Sequence, residues 1–578
     1  MIIPTVAASV TSSAEPSCDI LIAGGSLSSL AAAISAANVS QTIAPSLQVC
    51  LLEITDWVGG QITSSGTSAI DLGETWANFP DNFPAVFADF LTSSPLGPPS
   101  NNPGGCTVST KCFLPLTFVT WANSLLESFS NLRVYRSTTV VGVTRERESG
   151  GGRITSITAV RRTPTPSHIS GYDRLLSEAL LDWYSPLPSE FFEKEVLDFT
   201  IPEFGVVIEA TEFGDVLLLG QLNATQGAEV DETSVLNTMQ SCGQAATICF
   251  WTSWDEAKVP SPDPWPSGWP GPAPMANTSR WDLTSLIHTL TWRRSFASNN
   301  SDSTSVRQGD VSLVNAAEGN DEVNAYLFLP IDEARATAAL GKYAGGIDLT
   351  ALAMAEARAF AFYHAIANST PRLLPTSAGF FGLNSSTAGT LSGLAKLPYL
   401  RDSRRAASGI LSFRLCHHFA DPKSPGPGPA GCYYGDGKDE LPSSSSIPTG
   451  YHWHDTIGLG SYGFDQHRLA NSTCVLPQYL QYGGLPGPSL PYFLPWRALT
   501  VGDAPNVLVS GKTMAQSFYA NSVTRLHPSE WSSGSAAGTG AVLMAVNNWT
   551  SADVYRNISA LRRIVNSSTV GLPIDWTL

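Results

Sequence analysis

Charge is scarce in this sequence. Only 14% of its 578 residues are Asp, Glu, Lys or Arg, and the basic ones are the minority, 33 against 49, for a net charge of −16. An acidic surface repels a phosphate backbone, which argues against nucleic acid as a partner. No apolar run reaches the roughly 18–20 residues of a membrane helix, so no transmembrane segment is expected. Met1 to Ala14 is mildly apolar and lacks a basic start, which makes a poor signal peptide; Ser12-Ser13-Ala14 would suit the trimmed remnant of one. Repeats are absent, and so is any Cys-x-x-Cys or His/Cys metal spacing. His417-His418 and His452/His454 resemble ligand pairs, but they border a Pro/Gly insertion with scattered carboxylates, so no metal is expected. What the chain does have is 43% hydrophobic residues and a length beyond one core, the profile of a globular protein with more than one domain.

Two features point away from the cytosol. Asn-x-Ser/Thr sequons begin at Asn38, Asn223, Asn277, Asn299, Asn368, Asn384, Asn471, Asn548, Asn557 and Asn566, each a candidate for N-glycans. An Asn- and Ser-rich chain also makes sequons by chance, and Asn38 ends an expected core helix. Among the nine cysteines, Cys106/Cys112 and Cys416/Cys432 flank Gly/Pro-rich loops that a disulfide would staple, whereas Cys18 and Cys50 suit buried free thiols beside core strands. The expectation is a secreted or endomembrane-lumen protein, with a cytoplasmic one as the alternative.

The pattern along the chain is α/β. Asp19–Ala23 reads as a buried strand, Ser28–Ala37 as a small-residue helix and Gln48–Glu53 as a second strand, the opening of a doubly wound Rossmann-like fold. Two helical patterns occupy 85–131. Leu132–Tyr135, Thr138–Arg145 and Arg153–Val160 read as an inserted β-meander, and Gly205–Ala210 returns to the first domain. Leu349–Ala367, Asn506–Ser510 and Glu530–Val546 read as helix, buried strand and small-residue helix. Residues 15–84, 132–220 and 395–578 are assigned to a discontinuous cofactor domain. Residues 85–131 and 221–394 form a mixed α+β substrate region, and 421–448 a loop insertion.

A Gly-rich turn between strand and helix aims backbone N–H groups at a pyrophosphate. Here the six positions of the G-x-G-x-x-G fingerprint are Gly24-Gly25-Ser26-Leu27-Ser28-Ser29, with Ser at the second and third obligatory glycines. Ser26 is small and its hydroxyl could bond phosphate. Glu53 ends the second strand, where a carboxylate accepts from ribose hydroxyls; the bland alternative is an ordinary strand-end acid. A second glycine pair, Gly59-Gly60, with Gln61 beside it, suits a long cofactor crossing the domain, or a simple turn.

The run Glu53–Gly66 (EITDWVGGQITSSG) resembles the signature of the broad FAD-dependent oxidoreductase family, two-dinucleotide-fold flavoproteins that include bacterial proteins labelled xanthan lyase. Ala210–Asp215 (ATEFGD), Pro398–Arg405 (PYLRDSRR), Asp455–Arg468 and Leu494–Gly538 resemble the same family in order. The resemblance implies noncovalent FAD with its adenosine near Gly24 and Glu53, and Thr211, Gly214 and Asp215 closing over it. It also implies a C-terminal helix whose N-terminus meets the flavin pyrimidine edge, with Gly534 and Ala537 permitting close approach. A helix N-terminus stabilises the anionic reduced flavin; a close-packed core helix is the alternative use of the same small residues.

Flavin performs the redox step, so the protein must orient a substrate and move its proton. His527, just before the C-terminal helix, and His467, in Asp465-Gln466-His467-Arg468, are the candidate catalytic histidines, with Arg525 and Asp465 beside them. Asp465 could orient His467 if the backbone is irregular. Arg401 and Arg404, with Arg405, form a basic knot that could neutralise FAD phosphate or an acidic substrate, or pair with Asp402. The expected activity is oxidation of a small polar organic molecule by hydride transfer to flavin N5, with dioxygen as a plausible acceptor. A flavin-free binding protein on the same scaffold is the alternative, motivated by Ser26 and Ser29. An NAD-dependent dehydrogenase is disfavoured by Trp57–Ser64 and by the C-terminal block.

Overall fold

A computed structural model describes residues 10–14, 17–72, 76, 78–92, 102–146, 151–168, 171–230, 237–255, 283–298, 305–373, 380–407, 452–470, 474 and 491–577. Five strands, β1 (Ile20–Ala23), β2 (Val49–Leu52), β3 (Leu132–Tyr135), β4 (Val206–Glu209) and β5 (Val507–Val509), form a wholly parallel sheet in the order β5-β4-β1-β2-β3. Apart from β3, every residue in these strands is buried, as their unbroken apolar runs require of a sheet covered on both faces. Leu132–Tyr135 is therefore not the first strand of a meander. It pairs with β2, Leu132 opposite Val49, and closes the sheet edge. Four residues with mixed burial, Arg133 exposed and Tyr135 buried, suit an edge strand as well as a meander, so their pattern could not discriminate. The antiparallel meander is Thr138–Arg145, Ile154–Pro164 and Phe192–Thr200, with Val10–Ala14 parallel to its outer strand.

Helix α1 (Leu27–Ile43) follows β1, and helix α2 (His527–Asn547) follows β5. Both are small-residue helices buried almost all round, so they can lie only inside a core. They pack on each other with backbone nearly in contact: a Cβ on Gly534 would fall 2.1 Å from the Ser28 carbonyl oxygen, and one on Gly538 2.2 Å from that of Ala32. Phe87, Phe90 and Phe118, from the helices Ala85–Thr92 and Pro115–Glu127, pack into this same core. A second core gathers around an antiparallel sheet centred on Phe250–Asp255 and Val311–Val314, backed by the helix Leu349–Leu373. No described helix is long and apolar enough to cross a membrane.

The cysteines pair more than expected. Cys18 and Cys50 are not free thiols but a disulfide, because β1 and β2 are adjacent and bring them together. Cys106–Cys112 forms the anticipated loop staple, and Cys242–Cys474 joins segments 232 residues apart. Cys416, Cys432 and the 421–448 insertion lie outside the described residues.

Candidate active site

The Gly24–Ser29 turn sits between β1 and α1. A side chain at Gly24 would meet Leu52 O at 2.8 Å and Ser29 Oγ at 2.9 Å, so the position admits only glycine. Ser26 is the N-cap of α1: its Oγ accepts from Ser29 N at 3.2 Å and donates to Ala210 O at 2.7 Å. That hydroxyl is engaged with the protein in this structure. Ser29 likewise turns its Oγ back, donating to Ser26 O at 2.7 Å. The two serines thus rebuild with side chains the tight turn that glycines usually make. Gly60, at φ +52°, comes down on this turn, where a Cβ would be 2.5 Å from Ser26 Cα.

Glu53, at the end of β2, is fully buried. Its Oε1 accepts from Thr55 N at 3.3 Å, and its Oε2 has no partner. Burial pushes its carboxyl up to about 8, against the Thr55 hydrogen bond and the charge of Arg136.

Along Ala210–Asp215 the side chains are spent on shaping the loop. Thr211 Oγ1 accepts from Gly214 N and Asp215 N at 2.8 and 3.0 Å, and Asp215 accepts from the Tyr184 and Tyr343 hydroxyls at 2.9 and 2.6 Å. Gly214, at φ +73°, lies against the Arg404 side chain. Arg404 donates to the carbonyls of Phe213, Gly345, Leu329 and Gly346 and to Gln226 Oε1. That set occupies every face of its guanidinium, which argues against a phosphate role. Gly534 faces α1 rather than a cofactor, so only the start of α2 is placed to meet one.

At that start lies a cavity of about 340 Å³, and it collects Arg525, His527, Asp465, His467 and Arg401. The residues named from sequence for catalysis thus share one wall. His467 Nδ1 is 2.6 Å from Asp321 Oδ2, and Asp321 Oδ1 accepts from Arg401 Nη2 at 3.0 Å. Asp321 is buried; burial alone would raise its pKa, but Arg401 and His467 bring it below the ordinary value. An ionised Asp321 favours a proton on Nδ1 and turns Nε2 toward the Asp465 side of the cavity. Asp465 is the more distant partner, 3.6 Å from Nε2, and is held instead by Arg525 Nη2 at 2.7 Å. Despite its burial, Arg525 and His467 keep Asp465 far below the carboxylate range. Arg401 serves this cavity wall, not the Gly24 turn. His527 is buried; neither ring nitrogen has a hydrogen-bond partner, though the Thr67 backbone lies nearby. Burial, then Lys512 and Arg525, push it down to about 3, so its ring is neutral.

A model of the FAD dependent oxidoreductase family matches residues 19–172 and 203–565. The chain belongs to that family. FAD is its cofactor, and the protein is a flavoenzyme. Comparison with curated protein sequences finds no match. Among solved structures it is similar to Thermovibrio ammonificans THI4, at 14% identity over 37% of this chain and 66% of that one, with a TM-score of 0.20. It is similar to the p-nitrophenol 4-monooxygenase PnpA of Pseudomonas putida, at 9% identity over 43% and 50% of the two chains, with a TM-score of 0.21. A variant of the E. coli quinol fumarate reductase FrdA aligns over 96% of this chain and 75% of its own, at 10% identity and a TM-score of 0.27. The flavoenzyme spans less than two thirds of the length of the first two.

The residues present fit FAD. Glu53 Oε2 is an orphaned, buried acceptor at the strand end where ribose hydroxyls donate. Gln61 Oε1, Glu530 Oε2 and the His527 ring nitrogens are further orphans between the Gly60 loop and the start of α2. Buried polar atoms are rarely left so, and a cofactor bearing hydroxyl and N–H donors satisfies them. Gln61 Nε2 already donates to Arg525 O at 3.1 Å, tying that loop to the α2 entrance.

Two functional features escaped sequence reasoning. Asp321 is 146 residues from His467 in a short strand with no motif. The other is a buried ion cluster, Lys512 Nζ with Glu212 Oε2 at 3.0 Å and Glu530 Oε1 at 2.8 Å. Burial raises Glu212 to about 7, with Lys512 opposing, while the two glutamates hold Lys512 charged. An apolar strand end followed by Gly-Lys was the one available signal.

Proposed function

We propose that the protein oxidises a small polar organic substrate in the 340 Å³ cavity, with His467 as the base. The observation that carries this reading is the Asp321–His467 pair on the cavity wall. FAD, when bound, takes up the hydride. The rest falls to the chain. Asp321 presents His467 with Nε2 as acceptor, so a hydroxyl or amine proton can move there as the C–H bond breaks. The imidazolium so formed lies between Asp321 and Asp465, both anionic, which lowers the cost of the transfer. Neutral His527 donates or accepts a hydrogen bond without competing for the proton. Lys512, paired with Glu212 and Glu530, fixes the start of α2, whose N-terminus stabilises negative charge on the reduced cofactor. In this reading Glu53 holds the adenosine ribose, and the backbone of Gly25, Leu27 and Ser28 receives the pyrophosphate at the start of α1.

An exported location is supported by the three cysteine pairs and by exposed sequons at Asn223, Asn548, Asn557 and Asn566. In an oxidising compartment dioxygen is the acceptor at hand. The test is anaerobic mixing of the FAD-loaded protein with a panel of alcohols and amines, following flavin bleaching. His467→Gln should slow bleaching by about 100-fold or more with FAD retained. An unchanged rate would remove His467 from the mechanism.

A further inference from the structure

The cavity wall carries one charge too many, and this deepens the reading above, on which it rests. Three guanidinium groups line the cavity. Arg401 is compensated by Asp321 at 3.0 Å and Arg525 by Asp465 at 2.7 Å. Arg293 has no carboxylate within 4.0 Å among the described residues. Its described hydrogen bond runs from Nη1 to the Asn315 carbonyl at 3.1 Å, which anchors one edge of the fork and leaves the other N–H groups to the cavity.

Asp71 feels the charge of Arg293, but not at ion-pair distance. The Tyr462 hydroxyl lies 3.2 Å from Asp71 Oδ2 and 3.1 Å from Asp465 Oδ2. The one phenol proton is shared between these two carboxylates. Arg525 holds Asp465, and the Tyr462 hydroxyl ties Asp71 to it. Burial raises Asp71, with Arg293 and Tyr462 opposing. Glu318 stands at the rim with its side chain 90% exposed, where water screens it. Half-buried Arg293 is then the cavity guanidinium without an ion-pair partner among the described residues.

The geometry points to a small organic acid as substrate, its carboxylate on the free fork of Arg293 and its hydroxyl- or amine-bearing carbon toward His467. A planar guanidinium binds a carboxylate through two parallel hydrogen bonds, and the confinement of about 340 Å³ sits at the small end of ligand pockets. Trp292 and Tyr399 provide flat walls for the remainder. The reaction balances within this frame. The C–H bond breaks with its electron pair passing as hydride to FAD, and the O–H or N–H proton goes to His467 Nε2. The electron pair that the O–H or N–H bond leaves on oxygen or nitrogen closes a C=O or C=N bond, so a hydroxy acid leaves as a keto acid and an amino acid as an imino acid.

Benzoate and its uncharged counterpart benzamide test this on the FAD-loaded protein, by perturbation of the flavin visible spectrum and by calorimetry. Benzoate should bind at least about tenfold more tightly, a difference of about 1.4 kcal/mol. Arg293→Gln should erase the preference while keeping FAD. Equal affinities, no binding of either probe by the wild type, or a preference that persists in Arg293→Gln would each overturn the inference. Should that variant fail to fold with FAD, Arg293→Lys decides: it should weaken benzoate and not benzamide, and an unchanged benzoate affinity refutes the fork. His467→Gln separates the two claims. Preserved benzoate preference with undiminished bleaching by true substrates would sink the base and spare the anion site, whereas slowed bleaching with no acid preference would do the reverse.

Discussion

Glu53→Gln probes the cofactor assignment through proton linkage. In the protein without FAD, burial raises this carboxyl from its ordinary 4.5 to about 8. A carboxyl raised on folding contributes stability that is fully present below the unfolded value, near 4.5, and is lost as pH rises through about 8. At 1.36 kcal/mol per pH unit, the loss is of the order of 5 kcal/mol as an upper bound. Glu209, Glu212 and Asp215 are raised as well, so only the difference between wild type and variant isolates Glu53. The thermal midpoint of wild-type apoprotein should fall relative to that of Glu53→Gln between pH 5 and 8. FAD should abolish most of that fall, because ribose hydroxyls donating to Oε2 favour the ionised form, and its binding should release a proton near pH 7. Losing one charge-assisted hydrogen bond, about 1.5–3 kcal/mol, should weaken FAD binding in the variant by about 10- to 100-fold. A midpoint difference constant across this pH range, together with equal FAD affinities, would refute the ribose assignment.

Gly534→Ala should destabilise the fold by about 1–3 kcal/mol, because its Cβ would enter the Ser28 carbonyl. Denaturation midpoints check this, and an unshifted midpoint would contradict the α1–α2 contact. Asp321→Asn should slow flavin bleaching by orders of magnitude by presenting His467 in the wrong tautomer; a rate within about twofold of wild type would remove the dyad. Peptide-N-glycosidase should lower the mass of natively produced protein, and an unchanged mass would undo the export argument.

Much of the dinucleotide fold was legible because burial on both faces leaves a plain mark. Ile20–Ala23, Val49–Leu52, Val206–Glu209 and Val507–Val509 are short apolar runs ended by Gly, Glu or polar residues, and all became parallel strands. Leu132–Tyr135 was misassigned because a four-residue run of mixed burial carries no information about which partner it pairs with. The cavity residues His467 and His527 could be picked out because the chain has only nine histidines, and Arg525 because it stands beside His527. Asp321 could not, since its pairing with His467 exists only in three dimensions. The Gly534 stripe was ambiguous from the start: small residues admit a cofactor or another helix equally, and here they admit α1. Ser26 shows the converse, where a fingerprint that reads as degraded is rebuilt by capping.

A crystal structure of the FAD-loaded protein tests the account most directly. The prediction is that the Glu53 carboxylate meets the ribose hydroxyls and that the flavin ring lies between Gln61 and the start of α2, opening onto the cavity of His467. An adenosine away from Glu53, or a flavin walled off from that cavity, would contradict it.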